Sequence, residues 1–403
     1  MTRVTRMDSK KAGKRLGLVC IAIFFLAGFC FGQAGSSSLI LGGRPTTSGL
    51  NDWSEFHRTN MERWNPYEHV LNVHNVGKLH LRWRFKTGGG LYSTPAVVNG
   101  VVYIGSGDHN VYALDAQTGA KLWSYATGSS VDSSPAVADG VVYVASDDFN
   151  VYALNAHTGA KLWSYATGLD IVSSPAVVNG VVYVGSDDGS IYALNARTGL
   201  KLWSYKTSSN YVVSSPAVAN GVVYVGSENG NLYALDANTG NLLWSNSAVS
   251  LSDSSPAVAN GVVYIGSENG NVYALNASTG TILWSYLTDL YVYSSPAVAK
   301  GVAYVGSFDH NVYALKATNG AKLWSYRTGR AGVYSSPAVA NGVVYVGSGI
   351  KLYALEASTG SELWSYNTGN RVRASPSVAN GIVYVGSFDG YLYAFGLKKH
   401  GRE

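Results

Sequence analysis

Eight prolines punctuate this chain at near-constant spacing: Pro95, Pro135, Pro175, Pro216, Pro256, Pro296, Pro337 and Pro376. The side chains best suited to chemistry stand just ahead of them. Three residues upstream are Tyr92, Asp132, Val172, Val213, Asp253, Tyr293, Tyr334 and Arg373. Two residues earlier are Gly90, Ser130, Asp170, Tyr211, Leu251, Tyr291, Gly332 and Arg371. The position between the two series is apolar in seven copies of eight. That alternation is a strand with one side buried, so both series share the other side. Aromatic rings, guanidinium groups and carboxylates are the side chains of recognition, and they need no bond-breaking partner. Tyr92, Asp132, Asp170, Tyr211, Asp253, Tyr291, Tyr293, Tyr334, Arg371 and Arg373 form the candidate ligand-binding set. Neutral variation in exposed loops is the competing account.

Signals for catalysis are thin. His69, His74 and His80 are spaced by 5 and 6, which matches no common metal-ligand pattern. His109 and His310 occupy equivalent turns of distant copies. Asp187-Asp188-Gly189 and Asp389-Gly390 lack the further oxygen ligands of a calcium loop, and type I′ turns account for them. There is no Gly-x-Ser-x-Gly elbow and no phosphate-cradling loop. The sequence assigns no catalytic residue and no metal ligand.

The elements that position the candidate set come from a repeat. One copy begins Ser133-Ser-Pro-Ala-Val and ends at Leu162-Trp-Ser-Tyr165. The tryptophans Trp83, Trp123, Trp163, Trp203, Trp244, Trp284, Trp324 and Trp364 keep phase with the prolines, at steps of 39 to 41 residues. Such a period marks an array or a propeller. Each copy holds four short β-type runs divided by turns such as Asn179-Gly180, Asp188-Gly189 and Thr118-Gly119. The second and third runs are apolar almost throughout, so both faces of each sheet are expected to be buried between neighbours. At the ends, a lone fourth run with Trp83 precedes the first full copy, and the last copy stops after its third run at Tyr393-Ala-Phe-Gly396. Joining the two completes a blade and removes two open edges. The expected fold is all-β: an eight-bladed β-propeller of four-stranded antiparallel blades, its ring closed by the N-terminal Trp83 strand. The tryptophans are its docking residues, and the candidate set rings one mouth of its channel.

The chain has 403 residues and a net charge of +5. Arg3, Arg6, Lys10, Lys11, Lys14 and Arg15 supply six of its 29 basic residues, and Asp8 one of its 24 acidic ones. Without them 23 of each remain, which argues against nucleic acid as a partner. Those basic residues precede an uncharged run from Leu16 to Phe31, then Gly32 and Ala34. This is the order of a secretory signal peptide. An uncleaved membrane anchor is the alternative, although the run is short of about 20 residues. Both cysteines, Cys20 and Cys30, lie in this segment, and Phe29 before Cys30 argues against lipid attachment. The expected organisation is a signal peptide (1–34), a Ser/Gly-rich linker (35–51), a lead-in packing on the ring (52–78), the propeller (79–397) and a tail (398–403).

The element Ala113-Leu-Asp-Ala-Gln-Thr-Gly-Ala-Lys-Leu-Trp123 resembles the tryptophan-docking motif of the pyrroloquinoline-quinone (PQQ) repeat family, over about residues 52–397. Lys316, Glu356 and Asn319 depart from the motif, and the resemblance implies looser docking there. Asp52-Trp-Ser-Glu-Phe-His-Arg-Thr-Asn60 is similar to the lead-in of such propellers, with Trp53, Phe56 and Trp64 packing on the ring. The family includes calcium-dependent quinoprotein dehydrogenases, a barrel-assembly lipoprotein of the outer membrane, and exported propellers without known activity. The dehydrogenases set the quinone against paired adjacent cysteines, which a chain cleaved near Ala34 cannot supply. The resemblance therefore implies a secreted, periplasmic or surface propeller, monomeric and non-catalytic. It would bind a protein, peptide or glycan, with no cofactor. A PQQ- and calcium-dependent oxidoreductase and an outer-membrane assembly scaffold are the alternatives.

Overall fold

The computed structural model describes residues 49–58, 61–208, 211–247, 249–250 and 253–398. The signal segment, most of the linker, Leu251 and the last five residues lie outside the described residues. The chain divides into two compact units, Met1–Arg44 and Pro45–Glu403, and every described residue belongs to the second.

The four runs of each copy fold as an antiparallel meander, and eight such sheets follow one another. Blade one comprises Ala96–Val98, Val101–Gly105, Asn110–Asp115 and Lys121–Ala126. The first hairpin is tight because Asn179 and Gly180, at φ 51° and 75°, both take the left-handed conformation of a type I′ turn. The second turn is a correction. At Asp188-Gly189 only the glycine has positive φ, so this is not a type I′ turn. Asp188 instead accepts the Ser190 and Gly168 N–H groups and the Tyr192 hydroxyl. His109 and His310 fill the left-handed position of the same turn at φ 70° and 77°, a structural post.

Blades dock through one repeated contact. In blade one, Trp123 Nε1 and the Tyr103 hydroxyl both donate to the Ala156 carbonyl of blade two, at 2.9 and 3.2 Å. The indole lies over Gly159 of that blade, where a Cβ would sit 2.7 Å from the ring. Glycine is thus needed twice in Thr-Gly, for its φ of 73° and for the space. The departures at Lys316, Glu356 and Asn319 do not loosen docking. Trp284 bonds Ala317 at 2.9 Å and Trp324 bonds Ala357 at 3.0 Å, because the acceptor is main chain.

His80–Lys86 pairs with Tyr391–Gly396, so the Trp83 strand completes the last blade and closes the ring. The seam shows where the repeat runs out. Trp364 bonds the Leu79 carbonyl instead of an alanine's, and the buried Tyr345 hydroxyl has no hydrogen-bond partner among the described residues. Blade seven also carries a fifth strand, Trp64–Asn65, parallel to Ala338–Ala340.

The first strands of successive blades touch in an unbroken circle and line the channel. Their inner edges would present unpaired backbone groups. Residues 53–58 and 61–65 lie along the circle and satisfy several of them. Trp53, Ser54, Met61, Glu62 and Arg63 offer carbonyls to Val97, Val137, Val258, Val298 and Val339 at 2.6–3.1 Å. The Glu55 carboxyl accepts the Val177 N–H, and Asn65 donates to the Val378 carbonyl. The Arg63 guanidinium is buried against the Pro337 and Pro376 carbonyls, 4.6 Å from the Phe56 ring centre.

Candidate functional site

A second belt circles the channel. In seven of the eight blades the residue before the marker proline donates its N–H to the hydroxyl of its counterpart in the next blade, from Thr94→Ser134 to Ser336→Ser375, at 2.9–3.0 Å. This belt fixes the eight strand entrances at one height. Above it lies a cavity of ≈ 380 Å³ lined by Tyr92, Asp132, Val172, Val213, Asp253, Tyr293, Tyr334 and Arg373, with Phe56 of the circling segment also lining it. Six of the ten candidate residues therefore share this cavity. The other four, Asp170, Tyr211, Tyr291 and Arg371, are exposed and do not line it. Between the two series Leu91, Val131, Ile171, Val212, Val292, Val333 and Val372 are buried.

Sequence reasoning missed a third series, the residue after the serine at the end of each second run: Gly107, Asp147, Asp187, Glu228, Glu268, Phe308, Gly349 and Phe388. In seven copies, all but that of Gly349, its backbone N–H bonds a carbonyl of the strand entrance of the same blade, as Asp147 does to Ser130 and Phe388 to Arg371. The signal was available, since the copies disagree here inside an otherwise constant frame.

The three series together give the mouth two unlike halves. Blades two to five bring Asp132, Asp147, Asp170, Asp187, Glu228, Asp253 and Glu268. Burial, then repulsion from Asp132, Asp170, Asp187 and Asp148, raises the Asp147 carboxyl to about 7. Burial, then Asp170, Glu228 and Asp188, raises Asp187 to about 6. Asp132 is raised by burial alone. Asp253 is raised by burial and Glu268, and Arg373 across the channel partly offsets this.

Blades six to eight and blade one place no carboxylate in these series. They carry rings and arginines. Tyr293 and Tyr334 stack at 5.4 Å and 11°, and Phe308 meets Tyr334 edge-on at 4.5 Å. Tyr92 packs on Phe388 at 4.3 Å. Arg373 lies 4.4 Å over Tyr334 and 5.3 Å from Phe388, so the last and first blades meet through rings and a guanidinium.

Among the described residues no three His, Cys, Asp or Glu side chains converge to hold a metal ion, and none is a cysteine. No helix among them is long and apolar enough to cross a membrane.

The family described as outer membrane protein assembly factor BamB matches residues 75–214, 129–248, 212–335 and 309–403. The dehydrogenase subunit of alcohol dehydrogenase (quinone) from Gluconobacter oxydans is 35% identical over 122 residues, which are 28% of this chain and 15% of that protein. This chain thus spans a small part of that relative's length. Among solved structures, BamB from Moraxella catarrhalis superposes with a TM-score of 0.69 at 20% identity, covering 79% of this chain and 100% of that one. The quinohemoprotein alcohol dehydrogenase from Comamonas testosteroni gives 0.73 at 18% identity, covering 88% and 82%. At those identities the likeness is one of fold.

Proposed function

We propose a binding function for this chain, which belongs to the repeat-propeller family described as outer membrane protein assembly factor BamB. It is an exported, monomeric, non-catalytic propeller that holds a protein, peptide or glycan in the cup at its channel mouth. One observation carries this reading. The divergent residues three before the eight marker prolines converge on a single cavity, while the repeated tryptophans that the copies share hold the ring. A concave site with an apolar wall and a few convergent polar groups is what ligand recognition requires. Export rests on the basic, apolar, small-residue order of the first 34 residues. Sequencing the N-terminus of the protein recovered from outside the cytosol is expected to find a start near Gly35.

The stretch shared with the quinone dehydrogenase subunit favours a second reading, an oxidoreductase using PQQ and calcium. Incubation with both, followed by an absorbance spectrum and a dye-linked alcohol assay, separates the two. The binding reading expects neither a bound-quinone spectrum nor turnover. It also expects that replacing Asp132 and Tyr293 with serine abolishes ligand capture while the melting temperature holds. Turnover would overturn it.

A further inference from the structure

Blade seven breaks the eightfold pattern in a way that opens a second hollow. In blade six the second turn runs Ser307-Phe308-Asp309-His310-Asn311 before Val312, whereas in blade seven it runs Ser348-Gly349-Ile350-Lys351 before Leu352, one residue shorter. The connection leading into blade seven is one residue longer than that leading into blade six, and it brings Arg330 to the rim. Gly349 stands where blades two to six carry Asp, Glu or Phe, so no side chain fills the space. The result is a pocket of ≈ 310 Å³ bounded by Phe308, Tyr334, Arg330, Arg371 and Arg373. Two glycines keep it open. A Cβ on Gly332 would sit 3.0 Å from the Phe308 ring, and one on Gly349 would sit 3.2 Å from Ala331.

Three guanidiniums face this pocket and no carboxylate lines it. Arg373 is held over Tyr334. Arg371 bonds its surroundings through its backbone, leaving the guanidinium without a partner among the described residues. Arginine in this state offers a planar fork for a two-oxygen anion. The opposite wall, Phe308 edge-on to Tyr334, is apolar. A bare inorganic anion would leave that wall against water. A neutral ring would leave the guanidiniums without a counter-charge. The volume falls at the lower end of the roughly 300–1,000 Å³ of small-molecule sites, which suits one ring.

We infer, resting on the reading of the mouth as a binding surface, that this pocket is a subsite for a carboxylate carried on a six-membered ring, the chemistry of a uronic acid residue in an acidic glycan. The ring packs against Phe308 and Tyr334, and the carboxylate is gripped by Arg371 with Arg330 and Arg373 beside it. The acidic half of the mouth repels a second carboxylate, so a single acidic residue of the glycan enters.

The test is calorimetric titration of the full chain with a hexuronic-acid trisaccharide, its neutral hexose counterpart and inorganic phosphate. The uronate is expected to bind roughly tenfold or more tightly than either comparison, as charge-assisted pairing implies. Arg371→Gln and Arg330→Gln are expected to remove that preference without moving the melting temperature. Equal binding of the neutral sugar, or phosphate competing as well as the uronate, would overturn the inference. So would absent uronate binding in a protein that still captures another ligand through Asp132 and Tyr293, and the mouth reading would then stand. Loss of all capture that depends on the mouth would end both.

Discussion

Trp163 and Arg373 hold fixed places in the same repeat, yet the two places follow opposite rules. The tryptophan recurs in all eight copies, donates to a main-chain carbonyl of the next blade, and covers a glycine there. The place of Arg373 is filled by Tyr, Asp, Val or Arg, and every occupant looks into the channel. Frame positions are interchangeable because each must satisfy the same backbone acceptor. Mouth positions are free of that demand, so charge and aromatic surface could segregate into halves. Invariance within the chain marks what holds the ring, and divergence marks what faces a guest.

The harshest way to break this contrast is to attack the frame at its seam. Deleting residues 1–88 removes both the circling segment and the His80–Lys86 strand, leaving a three-stranded last blade with an open edge. The truncated chain is expected to aggregate, read by light scattering. A soluble ring with an unchanged melting temperature would show that closure does not run through Trp83.

A single frame residue comes next. Trp163→Ala or Trp284→Ala is expected to cost about 3–5 kcal/mol of stability, measured by denaturant unfolding, with ligand capture by the surviving folded protein unaltered. An unchanged unfolding midpoint would remove the indoles from their docking role.

The acidic half predicts a smaller, pH-dependent effect. Asp147 and Asp187 are held up at about 7 and about 6, against an ordinary value of 3.8. The folded chain therefore keeps protons that the unfolded chain has already released. Stability contributed by these groups is present below about pH 4 and is lost as pH rises through 6 to 7. Asp147→Asn is expected to raise the melting temperature at pH 8, leave it unchanged at pH 4, and flatten the profile between. A variant profile parallel to the parent's would mean that burial and repulsion do not raise the Asp147 carboxyl.

The seam offers the mildest test. Tyr304→Phe removes a hydroxyl bonded to the Ala357 carbonyl and is expected to cost about 1 kcal/mol. Tyr345→Phe removes the unpartnered one and is expected to be neutral or stabilising. Equal losses would contradict the account of the seam.

Sequence and structure agree where the repeat speaks. Periodicity carries the eight blades, the split last blade and the inward-facing series before each proline, because eight copies state each feature eight times. Features stated once were harder to read. The placement of residues 53–58 and 61–65 along the channel edge has no internal copy, and Arg63 packed on Phe56 carries no pattern. The blade-seven pocket depends on one deleted residue and a glycine at position 349. The sequence places His109 and His310 at equivalent turns, but not their left-handed conformation, which leaves no mark when a side chain fills the position. The series from Gly107 to Phe388 was legible by the same divergence that exposed the strand entrances, but it lies just past the strand that the repeat makes conspicuous.

The central claim is that the divergent positions recognise and the invariant ones hold. Its most direct test replaces Asp132, Tyr293 and Arg373 with serine in one chain. Melting temperature and captured ligand are then measured against the parent, with uronate trisaccharide and material from the extracellular fraction as probes. The account predicts a melting temperature within a few degrees of the parent, because the three side chains line the cavity and make none of the interblade indole contacts, together with loss of capture. A collapse in stability with capture intact in the remaining folded protein would contradict it.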